Sequence, residues 1–244
     1  MIVYANYGGG TNSTAMLIEC AKRGEQIDEI LFADTGGEKP HTYEYLKTFS
    51  AWLETNGMPA IQVVKNEKAW AKGGLEQFCL DHKSLPSIAY GFKSCSLKYK
   101  SRPIEEYLKG KYPDREWQNL MGIDAGETHR ARYGEDDKKN TRYPLIEWDL
   151  DRDACVEIIK AEGLCLPGKS ACFFCPSMRA NDVKQLAVTY PDLMERALEM
   201  ESKADLDPSG HIKGLGVRWR WKDVIATDDM FADEYMLTPE MTCG

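Results

Sequence analysis

No stretch of this sequence is apolar for the length of a bilayer crossing, and its start shows no basic, apolar and small-residue leader. A helical membrane span is therefore excluded, and a cytoplasmic location is expected. Excess positive charge is also missing: 31 Lys and Arg stand against 39 Asp and Glu, a net charge of −8. Broad, sequence-blind attachment to nucleic acid depends on neutralising phosphates, so that class is disfavoured. A local basic groove remains open, because Lys93, Lys98, Lys100 and Arg102 cluster around Cys95. Internal repeats, low-complexity tracts and a clear second domain are absent too. With eight cysteines in a chain expected to be cytosolic, disulfides are not anticipated, and the thiols are read as buried small hydrophobes or as ligands.

What is present fits one large α/β domain: 244 residues, 43% of them hydrophobic. Residues 1–204 are read as that domain and residues 205–244 as a tail packed on it. An apolar run, Met1 to Ala5, feeds into Gly8-Gly9-Gly10-Thr11-Asn12-Ser13-Thr14 and then a helix-forming stretch. That order describes a strand, a phosphate loop and a helix N-terminus. Adjacent glycines let the backbone turn several N–H groups toward one anion, and the helix end favours the same charge. Asn12, Ser13 or Thr14 is expected to cap the helix. A flexible turn is the plainer alternative for three glycines alone. The dinucleotide spacing G-x-G-x-x-G fails after Gly10, and the lysine of G-K-[ST] is lacking.

Further along, Glu29 to Ala33 reads as a buried strand running into Asp34-Thr35-Gly36-Gly37, followed by a helix over 41–53. Ile61 to Val64 is a third strand, with a helix from about Glu67. Strand and helix in alternation imply a parallel sheet with right-handed crossovers, whose ligands sit beyond the carboxyl ends of the strands. Residues 79–102 lose the pattern and read as an ordered loop or lid. A helix starting at Pro103 and a strand over 119–123 follow, and that strand delivers Asp124, Glu127, His129 and Arg130 to the same edge of the sheet. Tyr143 to Trp148 is expected to be extended. Asp149 or Asp151 should cap a helix over 152–161, and two more helices are expected over 180–189 and 191–202. Trp219 and Trp221 either stack on a base or dock the tail.

The sharpest chemical signal is Cys172-Phe173-Phe174-Cys175-Pro176, with Cys95 in the other irregular stretch. Two thiolates at this spacing suit an iron–sulfur half-site, a zinc half-site or a structural pair; a thioredoxin-type redox pair would need a different sheet context. Cys20 and Cys155 stand at helical spacing and read as core, while Cys79 and Cys165 carry no assigned role.

Taken together, the glycine loop, Asp34-Thr35-Gly36, Cys95-Ser96-Leu97-Lys98, Gly122-x-Asp124, Arg130, Tyr143-Pro144-Leu145 with Trp148, and Cys172-x-x-Cys175 are similar to the phosphoadenosine phosphosulfate reductase-like branch of the adenine nucleotide α-hydrolase superfamily. The loop resembles the Ser-Gly-Gly-x-Asp-Ser pyrophosphate loop, departing from it at Gly8 and at Asn12, where the family has its Asp. The resemblance implies a three-layer α/β sandwich with a mostly parallel central sheet, a helical C-terminal part and an irregular tail. It implies an adenine nucleotide, ATP or a sulfonucleotide, held at Gly8 to Thr14, Asp34, Thr35, Gly36, Gly122, Asp124 and Arg130. Mg²⁺ and a [4Fe-4S] cluster on Cys95, Cys172 and Cys175 are the further implied cofactors. The expected activity is cleavage of the α–β bond of ATP to adenylate an acceptor for sulfur transfer, with Asn12 and Ser13 at the reacting phosphates. The acceptor is left open among tRNA, DNA and a small molecule, and a homodimer is compatible with the resemblance. The alternatives are a sulfonucleotide reductase, with Cys243 as nucleophile, and a nucleotide-binding subunit without turnover, which Asn12 in place of the acid favours.

Overall fold

The structure, a computed structural model, describes residues 1–133, 140–208 and 210–226. It opens with β1 (Ile2–Asn6), α1 (Thr11–Arg23), β2 (Glu29–Asp34), α2 (Pro40–Thr55) and β3 (Ile61–Lys65). Two short helices follow, α3 (Glu67–Trp70) and α4 (Gly74–Asp81), then a 3₁₀ turn at Ser87–Tyr90. Next, α5 (Ser94–Ser96), a π-helical turn (Leu97–Ser101) and α6 (Arg102–Lys111) run on without a break. β4 (Trp117–Met121), a 3₁₀ segment (Ala125–Arg130) and β5 (Thr141–Arg142) complete the sheet. The remainder is helical, with α7 (Pro144–Glu147), α8 (Arg152–Ala161), α9 (Ala180–Thr189), α10 (Pro191–Lys203) and α11 (Trp221–Ala226).

All strand pairs are parallel, in the order β3-β2-β1-β4-β5. The chain therefore builds outward from β1 to β3 and then crosses back to lay β4 on the other side of β1. Loops at the carboxyl ends of β1 and β4 leave in opposite directions and open a crevice between them. Successive side chains of a strand point to opposite faces, and β2 shows both. Ile30 and Phe32 join a core with α1, α2 and α8, while Leu31 and Ala33 join one with Ile104 and Leu108 of α6. The sheet is thus covered on both sides, which is the expected three-layer α/β sandwich. A further apolar cluster lies beyond the sheet, around Leu75, Phe173, Phe174, Val183, Met200 and Trp221. Cys20 and Cys155 are fully buried in the first core, as their helical spacing predicts. Among the described residues no helix is long and apolar enough to cross a membrane.

Three local expectations are corrected. Residues 79–102 are largely helical rather than a loop, because the π turn at Leu97–Ser101 carries the helix past Pro103. A proline removes one i→i−4 bond and crowds the carbonyl four residues back, and a widened turn accommodates both effects. Tyr143 to Trp148 is not extended: Pro144 opens a helical turn, where its fixed φ and missing N–H are tolerated. Finally, the N-cap of α1 is Gly10, and none of Asn12, Ser13 and Thr14 caps the helix. The hydroxyls of Ser13 and Thr14 instead donate back to the Gly10 carbonyl oxygen, each at 3.0 Å.

Gly122 fixes how closely β4 approaches the loop. A Cβ there would lie 2.8 Å from both the N and the Cα of Ser13, backbone atoms that cannot swing aside. Gly122→Ala should therefore destabilise the fold by about 1–3 kcal/mol, the cost of overpacking. Gly110→Ala, in α6 with nothing within 4 Å of the new methyl, should stabilise it by roughly 0.5–1 kcal/mol. Thermal unfolding of the two variants checks both signs.

Candidate functional site

The crevice between β1 and β4 is a cleft of about 1130 Å³, reaching from the glycine loop to Gly122, Asp124 and Arg130 and on to Arg152, Lys169, Ser170 and Arg179. Gly8, Gly10, Thr11, Asn12 and Ser13 line it directly. Gly9 sits behind the loop with φ +71°, a conformation that suits glycine, and a Cβ there would come 3.2 Å from Thr42 and 3.4 Å from Phe32. Thr14 is buried, its hydroxyl 3.1 Å from that of Tyr7. With Gly10 as N-cap, no side chain caps α1 and no acidic residue occupies its first turn. The unpaired N–H groups of a thirteen-residue helix thus face the cleft with their dipole uncancelled.

One polar chain organises the cleft floor. Asp124 is 3% exposed; its Oδ1 accepts from the Gly126 N–H at 2.9 Å and its Oδ2 from Asn12 Nδ2 at 2.7 Å. The other end of the same amide, Asn12 Oδ1, accepts from Arg152 Nη1 at 2.7 Å. Arg152 Nη2 donates in turn to Thr11 Oγ1 at 3.0 Å. This chain decides how Asn12 stands, since the carboxylate requires the NH₂ end and the guanidinium requires the oxygen. Neighbouring cations are neutralised by carboxylates, Arg130 by Glu127 and Lys169 by Asp182.

Asp34, Thr35 and Gly36 form a second loop, at the end of β2, and do not line this cleft. Asp34 is buried and clamps its own turn, with Oδ1 accepting from the Gly36 N–H at 2.8 Å and from the Tyr43 hydroxyl at 2.9 Å. Where the family resemblance implies a nucleotide contact for Asp34, the structure displays this turn clamp. Burial and the adjacent Asp34 carboxylate push the Tyr43 hydroxyl far above its ordinary pKa, so it stays a donor. Thr35, 2% exposed, lies with Oγ1 3.0 Å from Cys172 Sγ.

The cysteine turn bridges the two loops. Ser170 Oγ donates to the Gly8 carbonyl, the Phe173 N–H donates to the Gly37 carbonyl at 2.7 Å, and the Cys175 N–H closes the turn on the Cys172 carbonyl at 2.9 Å. Lys100 reaches the same place from the π turn, its Nζ 3.2 Å from Glu38 Oε1, while Glu38 Oε2 is buried without a hydrogen-bond partner. Burial pulls the Lys100 pKa down, but Glu38 and the two cysteines outweigh it and leave the ammonium favoured. Burial, with Glu38 adding to it and Lys100 opposing, pushes the Cys172 thiol up to about 12. Metal-free Cys172 is therefore protonated near neutral pH, and a metal binding there would have to release that proton.

Cys95 is not gathered with this pair. Its N–H donates to Ser87 Oγ at 2.8 Å, and it lines, with Cys79, Phe78, Leu85 and Tyr99, a separate apolar pocket of about 230 Å³. Among the described residues, no group of three or more His, Cys, Asp and Glu side chains is close enough to hold a metal ion. Cys172 and Cys175 thus fit two ligands of a metal centre, and Cys95 would have to join them from its own helical segment. Cys243 lies outside the described residues.

Sequence reasoning did not single out Arg152, Lys169, Ser170, Arg179 or Glu38. For two of them a signal existed. Arg152 occupies the first turn of α8 and Arg179 the N-cap of α9, positions where the helix dipole disfavours a cation. An arginine held there against the dipole points to an anionic partner or ligand.

The Mg²⁺ that the family resemblance implies does not fit this donor set. Where the related loop offers a carboxylate, Asn12 offers an amide whose oxygen is already bound to a guanidinium, each oxygen of Asp124 already accepts one N–H, and although Glu127, Asp151 and Asp153 also line the cleft, no three such side chains among the described residues stand close enough to hold a metal ion.

No family model matches the chain. It is 20% identical over 237 residues to an uncharacterized protein of Methanocaldococcus jannaschii, covering 91% of this chain and 52% of that protein. The chain thus spans about half the length of this curated relative, and what the cleft does has to be argued from its geometry.

Proposed function

We propose that the chain is an enzyme of the adenine nucleotide α-hydrolase type that binds ATP across the glycine loop and cleaves its α–β bond to adenylate an acceptor for sulfur transfer. The observation that carries the reading is the N-terminus of α1, without a side-chain cap, opening at the β1/β4 switch point into a cleft lined by Arg130, Arg152, Lys169 and Arg179 together with Asp124, Glu127, Asp151 and Asp153. Such an end takes an anion by backbone hydrogen bonds and dipole together. In the reaction an acceptor oxygen attacks the α-phosphorus, the bond to the bridging oxygen breaks, and pyrophosphate leaves with the electron pair. Charge therefore builds on the leaving phosphates, where N–H groups of the loop and Arg152 would stabilise it without reorganising.

Sulfur chemistry enters through the cysteine turn, which Ser170 and Thr35 hold between the phosphate loop and the β2 loop. Cys172 and Cys175 would hold an iron–sulfur centre, which Cys95 would have to reach from its own helical segment, and the centre would supply sulfide to replace the adenylated oxygen, which leaves with AMP. The protein side chains contribute position and charge: Thr35 orients Cys172, and Lys100 brings a cation to thiolates that burial alone would disfavour.

Gly10→Val tests the phosphate site. The backbone there is extended (φ −114°, ψ 172°), and an added Cβ would meet only Ser170 Oγ, at 3.4 Å. The variant should fold, yet its side chain would stand where phosphate must approach, and ATP affinity measured by calorimetry should fall more than about tenfold, or ~1.4 kcal/mol. Unchanged affinity in folded protein would sink the assignment.

Anaerobically purified protein should be brown, contain iron and convert ATP to AMP and pyrophosphate when given its acceptor. Cys95→Ala, Cys172→Ala and Cys175→Ala should each lose the visible chromophore. Cys20→Ala and Cys155→Ala, whose thiols are buried in the first core, should keep it at some cost in stability. Stoichiometric zinc without iron would overturn the iron–sulfur part.

A further inference from the structure

We infer that the cleft binds its nucleotide phosphates without a divalent cation and that Arg152 is the cation in its place. The inference rests on the proposed nucleotide site and adds to it the means of charge neutralisation. Arg152 stands at the first turn of α8, exposed to the cleft, with its guanidinium directed onto the first turn of α1 by Asn12 Oδ1 at 2.7 Å and Thr11 Oγ1 at 3.0 Å. Both partners are neutral oxygens, so these bonds fix the guanidinium without cancelling its charge. Two of its five N–H donors are used, and three remain for a ligand. Arg130 and Lys169, by contrast, face the carboxylates of Glu127 and Asp182.

The charge balance supports the exchange. A dication bound to a carboxylate at position 12 would present a net single positive charge to the phosphates. Arg152 bound to the amide of Asn12 presents the same net charge. The two arrangements also exclude each other, because a dication beside the guanidinium would meet a like charge, and the Asn12 oxygen already accepts from Arg152. Asp124 strengthens the second arrangement: it accepts from the NH₂ end of Asn12 at 2.7 Å, and a carboxylate at position 12 would instead face it with an unfavourable like charge.

The test is binding of a non-hydrolysable ATP analogue by calorimetry, in excess EDTA and again in excess Mg²⁺. Wild-type protein should bind in EDTA with an affinity within about threefold of that in Mg²⁺. Arg152→Ala should lose more than about tenfold in EDTA, and Arg152→Lys should recover part of it as a point charge without the fixed fork. Asn12→Asp should weaken binding in EDTA by more than about tenfold, because the new carboxylate pairs with Arg152 and cancels the charge it offers to the phosphates. Circular dichroism and thermal unfolding establish that each variant is folded. Should Arg152→Ala fail to fold, Asn12→Asp decides alone. Binding that requires Mg²⁺ in the wild type, binding that Arg152→Ala leaves unchanged in EDTA, or an Asn12→Asp variant that binds in EDTA as tightly as the wild type would each overturn the inference while leaving the nucleotide site standing. Absence of binding in both buffers would overturn the nucleotide reading as well.

Discussion

The cleft depends on β4 passing the glycine loop at a distance that leaves no room for a Cβ. Because Gly122 lies against the backbone of Ser13, the end of β4 and the first turn of α1 form one wall, and Asp124, two residues on, meets Asn12 directly. Sheet order supplies the rest. With β1 central and β4 laid on its far side, the loops after these two strands diverge, and the helix that follows β5 and α7 returns its N-terminus to the gap. Arg152 arrives in the cleft by this route, although it is 140 residues from Asn12 in sequence.

From that contact the electrostatics of the site follow. A helix N-terminus with no cap and no acidic first turn holds uncancelled positive potential, and the bonded series from Asp124 through Asn12 to Arg152 and Thr11 carries one negative and one positive charge separated by an amide. The amide is polarised from both ends, which fixes its orientation and leaves the negative charge buried beneath the floor and the positive charge at the surface. An anion meeting this surface encounters N–H groups and a guanidinium that are already positioned. Preorganisation of this kind favours an anion, since no reorientation has to accompany its binding.

Much of the fold was legible because its signals are local. The apolar runs of β1 and β2, the glycines between β1 and α1, Asp151 capping α8 through the Ala154 N–H at 2.9 Å, and Pro191 opening α10 each act within a few residues. What escaped depends on distant partners. The helix over 94–111 looked interrupted because Pro103 normally starts a helix, and only a π turn lets one run through it. Asn12, Ser13 and Thr14 looked like caps, but Asp124 and the Gly10 carbonyl take their side chains. Within the site, the glycine loop and Cys172-x-x-Cys175 were readable as motifs. That Asp34 clamps its own turn against Tyr43, that Cys95 keeps company with Cys79, and that Arg152 closes the loop were not, since each rests on pairings that spacing does not encode.

The cysteine turn and the glycine loop also constrain each other. Residues 170–175 are pinned at three points: Ser170 to the carbonyl of Gly8, Cys172 to the hydroxyl of Thr35, and Phe173 to the carbonyl of Gly37. The first of these lies on the same loop that presents N–H groups to the cleft, and Gly9 and Gly10 leave room beside Ser170 that a side chain would narrow. A phosphate that drew the Gly8–Gly10 backbone toward the cleft would load the Ser170 bond and, two residues on, the position of Cys172. The thiol cannot follow freely, because Phe173 and Phe174 are buried in the apolar cluster beyond the sheet and hold the turn from behind. The glycine loop and the cysteine pair are therefore joined through one short segment, held on the glycine loop by Ser170, on the β2 loop by Cys172 and Phe173, and from behind by the buried phenylalanines.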